Sequence, residues 1–289
     1  MDDFDPGWVA EHHYRMLSLS FTVRSTDARF AEALGWHLAP FRRERAEVQA
    51  FPVDLYVQEK DLGSEPPLYS LFLANALRFT AHDLGQVLAH AVWMLHAEVS
   101  QRVRDFLLVH AGAVARDGGA LLLPAASTAG KSSLVLALLS RGFSYLSDEL
   151  GVIDPVTTRI YPFEKRIGLD DAALGFFDGL GERLREPPPF AATASKQYLL
   201  PEDVMATASG PVDPRWIVFI GPDRSGSPTL TPLSKAETVE RIASHSTNLY
   251  RYADRGVILL ARLAQRAQAF ELTGGTPSQR AACIDERLG

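Results

Sequence analysis

Gly130, Lys131 and Ser132 stand where one apolar run ends and a second begins, and that junction is where this chain could handle a phosphate. The stretch from Ala120 to Gly142, ALLLPAASTAGKSSLVLALLSRG, reads as a buried strand, a tight loop and an apolar helix stopped by glycine. At such a junction the backbone N–H groups converge on an anion. A lysine adds a full charge, and the next hydroxyl is placed to ligate Mg²⁺. The residues concerned are Ala125, Ala126, Ser127, Thr128, Ala129, Gly130, Lys131, Ser132 and Ser133. The usual spacing, G-x-x-x-x-G-K-[ST], wants glycine where this chain has Ala125. Thr128 fills another place often given to glycine, so of these residues only Gly130 takes a positive φ without steric cost.

Two further groups are brought toward the loop by the elements around it. Phe143-Ser-Tyr-Leu-Ser147 is extended and is followed at once by Asp148 and Glu149. A helix of about three turns and a short parallel strand return the chain to the edge it left, which sets this acid pair beside the loop. The plain alternative is a solvated turn. Upstream, Leu107 to Ala115 reads as a strand and Arg116-Asp-Gly-Gly119 as a hairpin turn. Antiparallel pairing about Asp117 and Gly118 makes paired positions sum to 235, so His110 faces Ala125 at the mouth of the loop. A satisfied core histidine and a phosphate or carboxylate partner are both open for it.

On His110, the loop from Ala125 to Ser132, Arg141-Gly142 and Asp148-Glu149, the sequence resembles the core of bacterial HPr kinase/phosphorylases and the wider set of HPr-kinase-related proteins. The resemblance implies an α/β fold with a P-loop kinase core of the HPr kinase/PEP carboxykinase type, spanning 104–289. A small N-terminal α/β region, 1–103, would precede it. It implies ATP- and Mg²⁺-dependent phosphorylation of a serine hydroxyl. Lys131 would span the terminal phosphates, Ser132 and Asp148 would hold the metal, Glu149 would accept the hydroxyl proton, and His110 would position a phosphate or the attacking group. Either of the basic pair Lys165-Arg166 could reach a phosphate or the developing charge, with Arg166 taken as the catalytic candidate, against the plain alternative of a solvent-facing cation. The family's loop pattern, G-x-S-G-x-G-K-S, loses two glycines here, which bears on nucleotide affinity or turnover. Leu150 to Leu169 lacks the family's glycine-rich stretch, so HPr is not the expected substrate. Looser relatives include kinases of ribosomally made peptide products such as lasso peptides. The expected partner is therefore a peptide or protein carrying a serine, with homo-oligomerisation open. Two alternatives stay beside this reading: a nucleotide-binding regulator or scaffold without turnover, and a small-molecule kinase acting on a metabolite such as free serine.

Composition bounds the rest. At 289 residues there is room for one large or two modest domains, and 46% hydrophobic with 22% charged residues describes an ordinary soluble globule. A net charge of −6 leaves no broad basic footprint for nucleic acid, and Arg42-Arg43-Glu44-Arg45 is a short cluster diluted by its glutamate. No run reaches the roughly 18 apolar residues that cross a bilayer, and the acidic Met1-Asp-Asp-Phe-Asp5 is unlike a signal peptide. A cytoplasmic address with no membrane partner is expected. The single cysteine, Cys283, agrees with a reducing compartment.

The remaining elements are read by period. Residues 1–12 are expected as a tail. Strands are expected at Leu17–Val23, Glu47–Glu59 and within Tyr69–Thr80, and helices at Asp27–Leu38 and from Asp83 to about Arg104. His90 and His96 do not share a helix face and are read as structural. A hairpin is expected about Pro155–Thr158, and a loop with the character of a lid or a peptide-binding strip from Gly179 to Ser195. Lys196 closes that loop as a weaker candidate for a nucleotide contact. Trp216–Ile220 suits a central strand, with Thr229–Leu233 as its neighbour. Ser234-Lys-Ala-Glu237 is a capping box opening a helix to Tyr250, in which His245 and Asn248 are read as surface or packing residues. A helix at Val257–Ala267, a strand at Ala269–Leu272 and a helix at Pro277–Leu288 close the chain.

Overall fold

The computed structural model describes residues 7–45, 53–63, 65–126, 129–177, 180–188, 196–204 and 206–288. It is mixed α/β, and the chain divides into two compact units: Met1–Val103 with Glu186–Lys196, and Arg104–Arg185 with Gln197–Gly289.

In the first unit a sheet ordered β3-β1-β2-β4-β5-β6 is built from β1 (Ala10–Met16), β2 (Leu19–Ser25), β3 (Arg42–Arg43), β4 (Val53–Leu62), β5 (Glu65–Leu73) and β6 (Ala76–Ala81). β2 and β4 run parallel, joined through α1 (Ala28–His37), whose first N–H groups are capped by the Asp27 carboxylate. α2 (Leu84–Arg102), capped by Asp83, packs on α1, β5 and β6. The expected N-terminal tail is corrected here. Residues 1–6 lie outside the described ones, but Ala10–Met16 is a strand that buries Tyr14 and Met16 and pairs with β2 throughout. Its hairpin turns on Leu17 at φ 55, a position whose residue type carries no turn signal. Of the strand expected over Glu47–Glu59, the part before Val53 lies outside the described residues.

The second unit is organised on β7 (Leu107–Arg116), β8 (Gly119–Pro124), β10 (Leu150–Ile153), β11 (Ile160–Tyr161), β14 (Asp213–Ile220), β15 (Thr229–Pro232) and β16 (Gln268–Thr273), in the order β11-β10-β7-β8-β14-β16-β15. β9 (Ser144–Ser147) also pairs with β7, and β12 (Ile167–Asp170) with β13 (Lys196–Leu199) forms a separate ribbon. β8, β14 and β16 are parallel neighbours. Both faces of β8 are covered, which is why it reads as an unbroken apolar run. Leu121 and Leu123 pack with α3 (Lys131–Leu139) and α8 (Pro277–Leu288), while Ala120 and Leu122 pack with α6 (Lys235–His245) and α7 (Asp254–Arg266). Short helices α4 (Asp171–Leu174) and α5 (Pro201–Val204) complete the unit.

The β7–β8 hairpin has the expected register, with Ala111 opposite Pro124, and turns on Asp117 and Gly118 at φ 49 and 73. The β10–β11 hairpin and the Ser234–Glu237 capping box also form. Two expectations are corrected. Thr229–Pro232 is not the neighbour of β14, because β16 intervenes. The helix that starts at Lys235 ends at His245, where Ser246 turns extended and bridges Val109. The expected lid falls partly outside the described residues, at 179 and 189–195; within it Gly181–Arg183 forms a single 3₁₀ turn. Lys196 lies in β13, with its side chain outside the described residues. Among the described residues no helix is long and apolar enough to cross a membrane.

Candidate functional site

β8 ends at Pro124, and the chain crosses residues 125–130 to enter α3 at Lys131. Gly130 is the N-cap residue at φ 91, the left-handed backbone that glycine adopts without penalty, so the loop keeps its glycine at the point where geometry demands it. Ser127 and Thr128 lie outside the described residues. Ala125 is buried and its N–H donates to the His110 carbonyl at 3.4 Å, while Ala129 N–H donates to the Ala126 carbonyl at 3.3 Å.

Lys131 is the first helical residue and is only 7% exposed, because its chain folds back under the loop. Its Nζ donates to the carbonyls of Ala125 and Ala126, each at 3.1 Å, and to His110 Nε2 at 2.8 Å. An ammonium only donates, so Nε2 is the acceptor and the ring proton of His110 resides on Nδ1. Burial lowers the pKa of Lys131, helped by Lys165 and opposed by Glu149 and Asp148. Burial likewise lowers the pKa of His110, with Lys131 adding to it and Glu149 opposing. Neutral histidine and cationic lysine are the mutually consistent pair.

The acid pair interrupts a strand. β9 and β10 both lie along β7, with Ser147 opposite Ala113 and Leu150 opposite His110, and the two residues between them bend away. Ser147 causes the bend: its hydroxyl accepts from Glu149 N–H at 3.1 Å and Leu150 N–H at 3.0 Å. Asp148 is 2% exposed and accepts from three donors, Ser132 Oγ at 2.8 Å, Tyr145 Oη at 3.0 Å and Lys165 Nζ at 3.3 Å. Burial and the charge of Asp148 push the Tyr145 phenol far up, so it stays a donor. Glu149, with 36% of its side chain exposed, meets the same Lys165 Nζ at 3.3 Å and remains reachable from solvent. Burial alone would lower the pKa of Lys165, but the charges of Asp148 and Glu149 outweigh it and raise it.

Sequence reasoning named His110, Lys131, Ser132, Asp148 and Glu149, and the structure brings these five together. Ser133, the second residue of the helix after Lys131, is buried. Arg166 does not join them: its charged neighbours are Glu202, Asp203 and Arg185, and burial lowers its pKa. The cation at the acid pair is Lys165. Period-two parity carried that signal, since Lys165 shares a side with the buried Ile167 and Leu169, and Arg166 with Gly168 and the exposed Asp170. Tyr145 was also missed. Asn248, read as a surface or packing residue, is fully buried and holds the start of β7, accepting from Leu108 N–H and donating to the Phe106 carbonyl, both at 2.9 Å.

Ser132 and Asp148 offer adjacent hydroxyl and carboxylate oxygens, which suits a hard cation such as Mg²⁺ that takes few protein ligands and fills its shell with phosphate and water oxygens. No cluster of three or more His, Cys, Asp or Glu suited to holding a metal by itself occurs among the described residues.

Comparison with protein-family models finds no match to this chain, and comparison with curated proteins finds no significant match either. The reading of the site therefore rests on its geometry.

Proposed function

We propose that the chain is an ATP- and Mg²⁺-dependent phosphotransferase with a P-loop kinase core, acting on a serine hydroxyl of a peptide or protein. One observation carries this: Lys131 at the head of α3 and the Ser132–Asp148–Lys165–Glu149 network lie in one continuous polar patch beyond the end of β8. The N–H groups at the start of α3 and the Lys131 ammonium would hold the phosphates. Ser132 and Asp148 would hold Mg²⁺, which when bound neutralises charge on the phosphate oxygens. Glu149 would take the proton of the acceptor hydroxyl as its oxygen forms a bond to the γ-phosphorus. The bond from that phosphorus to the bridging oxygen breaks, and ADP leaves. The serine acceptor is taken from the resemblance to HPr-kinase-related proteins, with ribosomal precursor peptides as the first substrates to try.

A second reading has its own observation. Lys165 bridges both carboxylates, and a glutamate held by an ammonium is a poor proton acceptor, which favours a nucleotide-binding regulator without turnover. Incubation with γ-labelled ATP and candidate precursor peptides separates the two. Under the kinase reading label passes to peptide, Lys131→Ala abolishes transfer, and Glu149→Gln lowers transfer about 100-fold or more while magnesium nucleotide still binds. Binding without transfer to any peptide or small-molecule fraction supports the regulator. Label appearing only in the small-molecule fraction makes the chain a metabolite kinase.

A further inference from the structure

The charges of the site balance before any nucleotide arrives. Lys131 and Lys165 stand with Asp148 and Glu149, and burial lowers the pKa of His110, so these five side chains add little net positive charge to the partial charge of the α3 N-terminus. A further cation approaches from elsewhere. β8 and β14 are adjacent parallel strands, so Ala125 and Ala126 after the one and residues 221–228 after the other emerge at the same end of the sheet, where open α/β sheets bind ligands. Arg224 lies in the second of these. Its Nη2 is 3.3 Å from where a Cβ on Gly130 would stand, which sets the guanidinium directly beside the residue that opens α3.

The segment carrying Arg224 is fixed from beneath. Arg280 of α8, 4% exposed, donates from Nε to the Gly274 carbonyl at 2.6 Å and from Nη2 to the carbonyls of Asp223 at 2.5 Å and Gly221 at 3.3 Å. Gly274 N–H donates to the Asp223 carbonyl at 2.9 Å, and Gly275 N–H to the Gly226 carbonyl at 3.0 Å. The Asp223 carboxylate in turn accepts from Ser225 N–H at 2.8 Å and Ser225 Oγ at 2.7 Å. A buried guanidinium tied to three carbonyls is a costly way to hold a surface turn, and its effect is to keep the backbone on both sides of Arg224 in place.

We propose that Arg224 is a phosphate-binding residue of the same site, donating to the polyphosphate of a nucleotide held at Gly130, Lys131 and Ser132. This rests on the nucleotide reading above. A guanidinium gives phosphate a planar, two-pronged set of donors that an ammonium cannot copy, so the contribution should grow with the number of phosphates and should not transfer fully to lysine.

Calorimetry with Mg-ATP, Mg-ADP and adenosine on the wild type, Arg224→Ala and Arg224→Lys tests it. Expected are a loss of about tenfold or more in Mg-ATP affinity for the alanine variant, a smaller loss for Mg-ADP and none for adenosine, with the lysine variant between. The salt dependence of Mg-ATP binding should also flatten in the alanine variant. Equal Mg-ATP affinity in wild type and Arg224→Ala overturns the role of Arg224 and leaves the nucleotide site standing. Equal losses for Mg-ATP and adenosine, with a lowered Tm, make the residue structural and overturn the role too. A wild type that binds no magnesium nucleotide overturns the site reading itself, and this one with it.

Discussion

At the scale of single residues, the bond between Lys131 Nζ and His110 Nε2 makes the site sensitive to acid. Protonated His110 has no lone pair to accept from an ammonium and would place a second cation at 2.8 Å from it. Its pKa in the folded chain lies below the ordinary 6.5, first through burial and then through Lys131. The unfolded chain therefore binds the proton first. Stability on this account is full above 6.5 and is lost as pH falls through that value toward the folded pKa. The urea midpoint is expected to drop between about pH 7.5 and about pH 5.5, and His110→Gln, whose amide oxygen accepts from Lys131 without titrating, should flatten that drop. The difference between the two proteins is the informative quantity, because His12 also has a lowered pKa, through burial and Arg42, and adds its own slope. Parallel profiles for the two would remove His110 as the cause.

At the scale of elements, the site depends on how closely α3 lies on β7. Gly112 makes this possible: a Cβ there would stand 2.8 Å from Val135 Cγ2, and Val135 is a fully buried, β-branched residue with little freedom to move. Gly112→Ala is expected to cost about 1–3 kcal/mol of stability and to weaken Mg-ATP binding, since displacing α3 separates Lys131 from His110. Adding Val135→Ala should restore much of the binding, and a double-mutant cycle measures that coupling. The elements of this neighbourhood were legible because local chemistry sets them: a turn on Asp117-Gly118, an apolar strand of β8, a helix opened by Gly130. Pairing decided by tertiary contacts was not. β15 pairs with β16 rather than β14 because α6 and α7 carry the chain around before β16 inserts between them, and no period in Thr229–Leu233 records that. Residues 10–16 hid for a different reason: two histidines and an arginine thin out the apolar alternation. In the site, the choice of Lys165 over Arg166 was present in the sequence as parity with Ile167 and Leu169. Pro162 and the irregular residues up to Arg166 obscured where that parity begins.

At the scale of the molecule, the described residues named for the candidate site lie in one unit. His110, Lys131, Ser132, Tyr145, Asp148, Glu149, Lys165 and Arg224 all fall within Arg104–Arg185 and Gln197–Gly289. Among the described residues, the two apolar clusters on the faces of the larger sheet draw on residues from Leu107 to Leu288. A segment that closes its own core meets the physical condition for folding alone. A fragment of residues 104–289 is therefore expected to unfold in urea as a single cooperative transition with fixed near-UV dichroism, and to bind Mg-ATP within about threefold of the full chain. A fragment lacking near-UV signal would mean that this core does not suffice. One that folds but loses nucleotide would mean that residues 1–103 contribute to binding. Retained binding with lost phosphoryl transfer would divide the labour differently, leaving the phosphate site to the second unit and acceptor recognition to the first. Measuring binding and transfer on the same fragment distinguishes these cases, because under the proposed function phosphate binding and acceptor selection need not belong to the same unit.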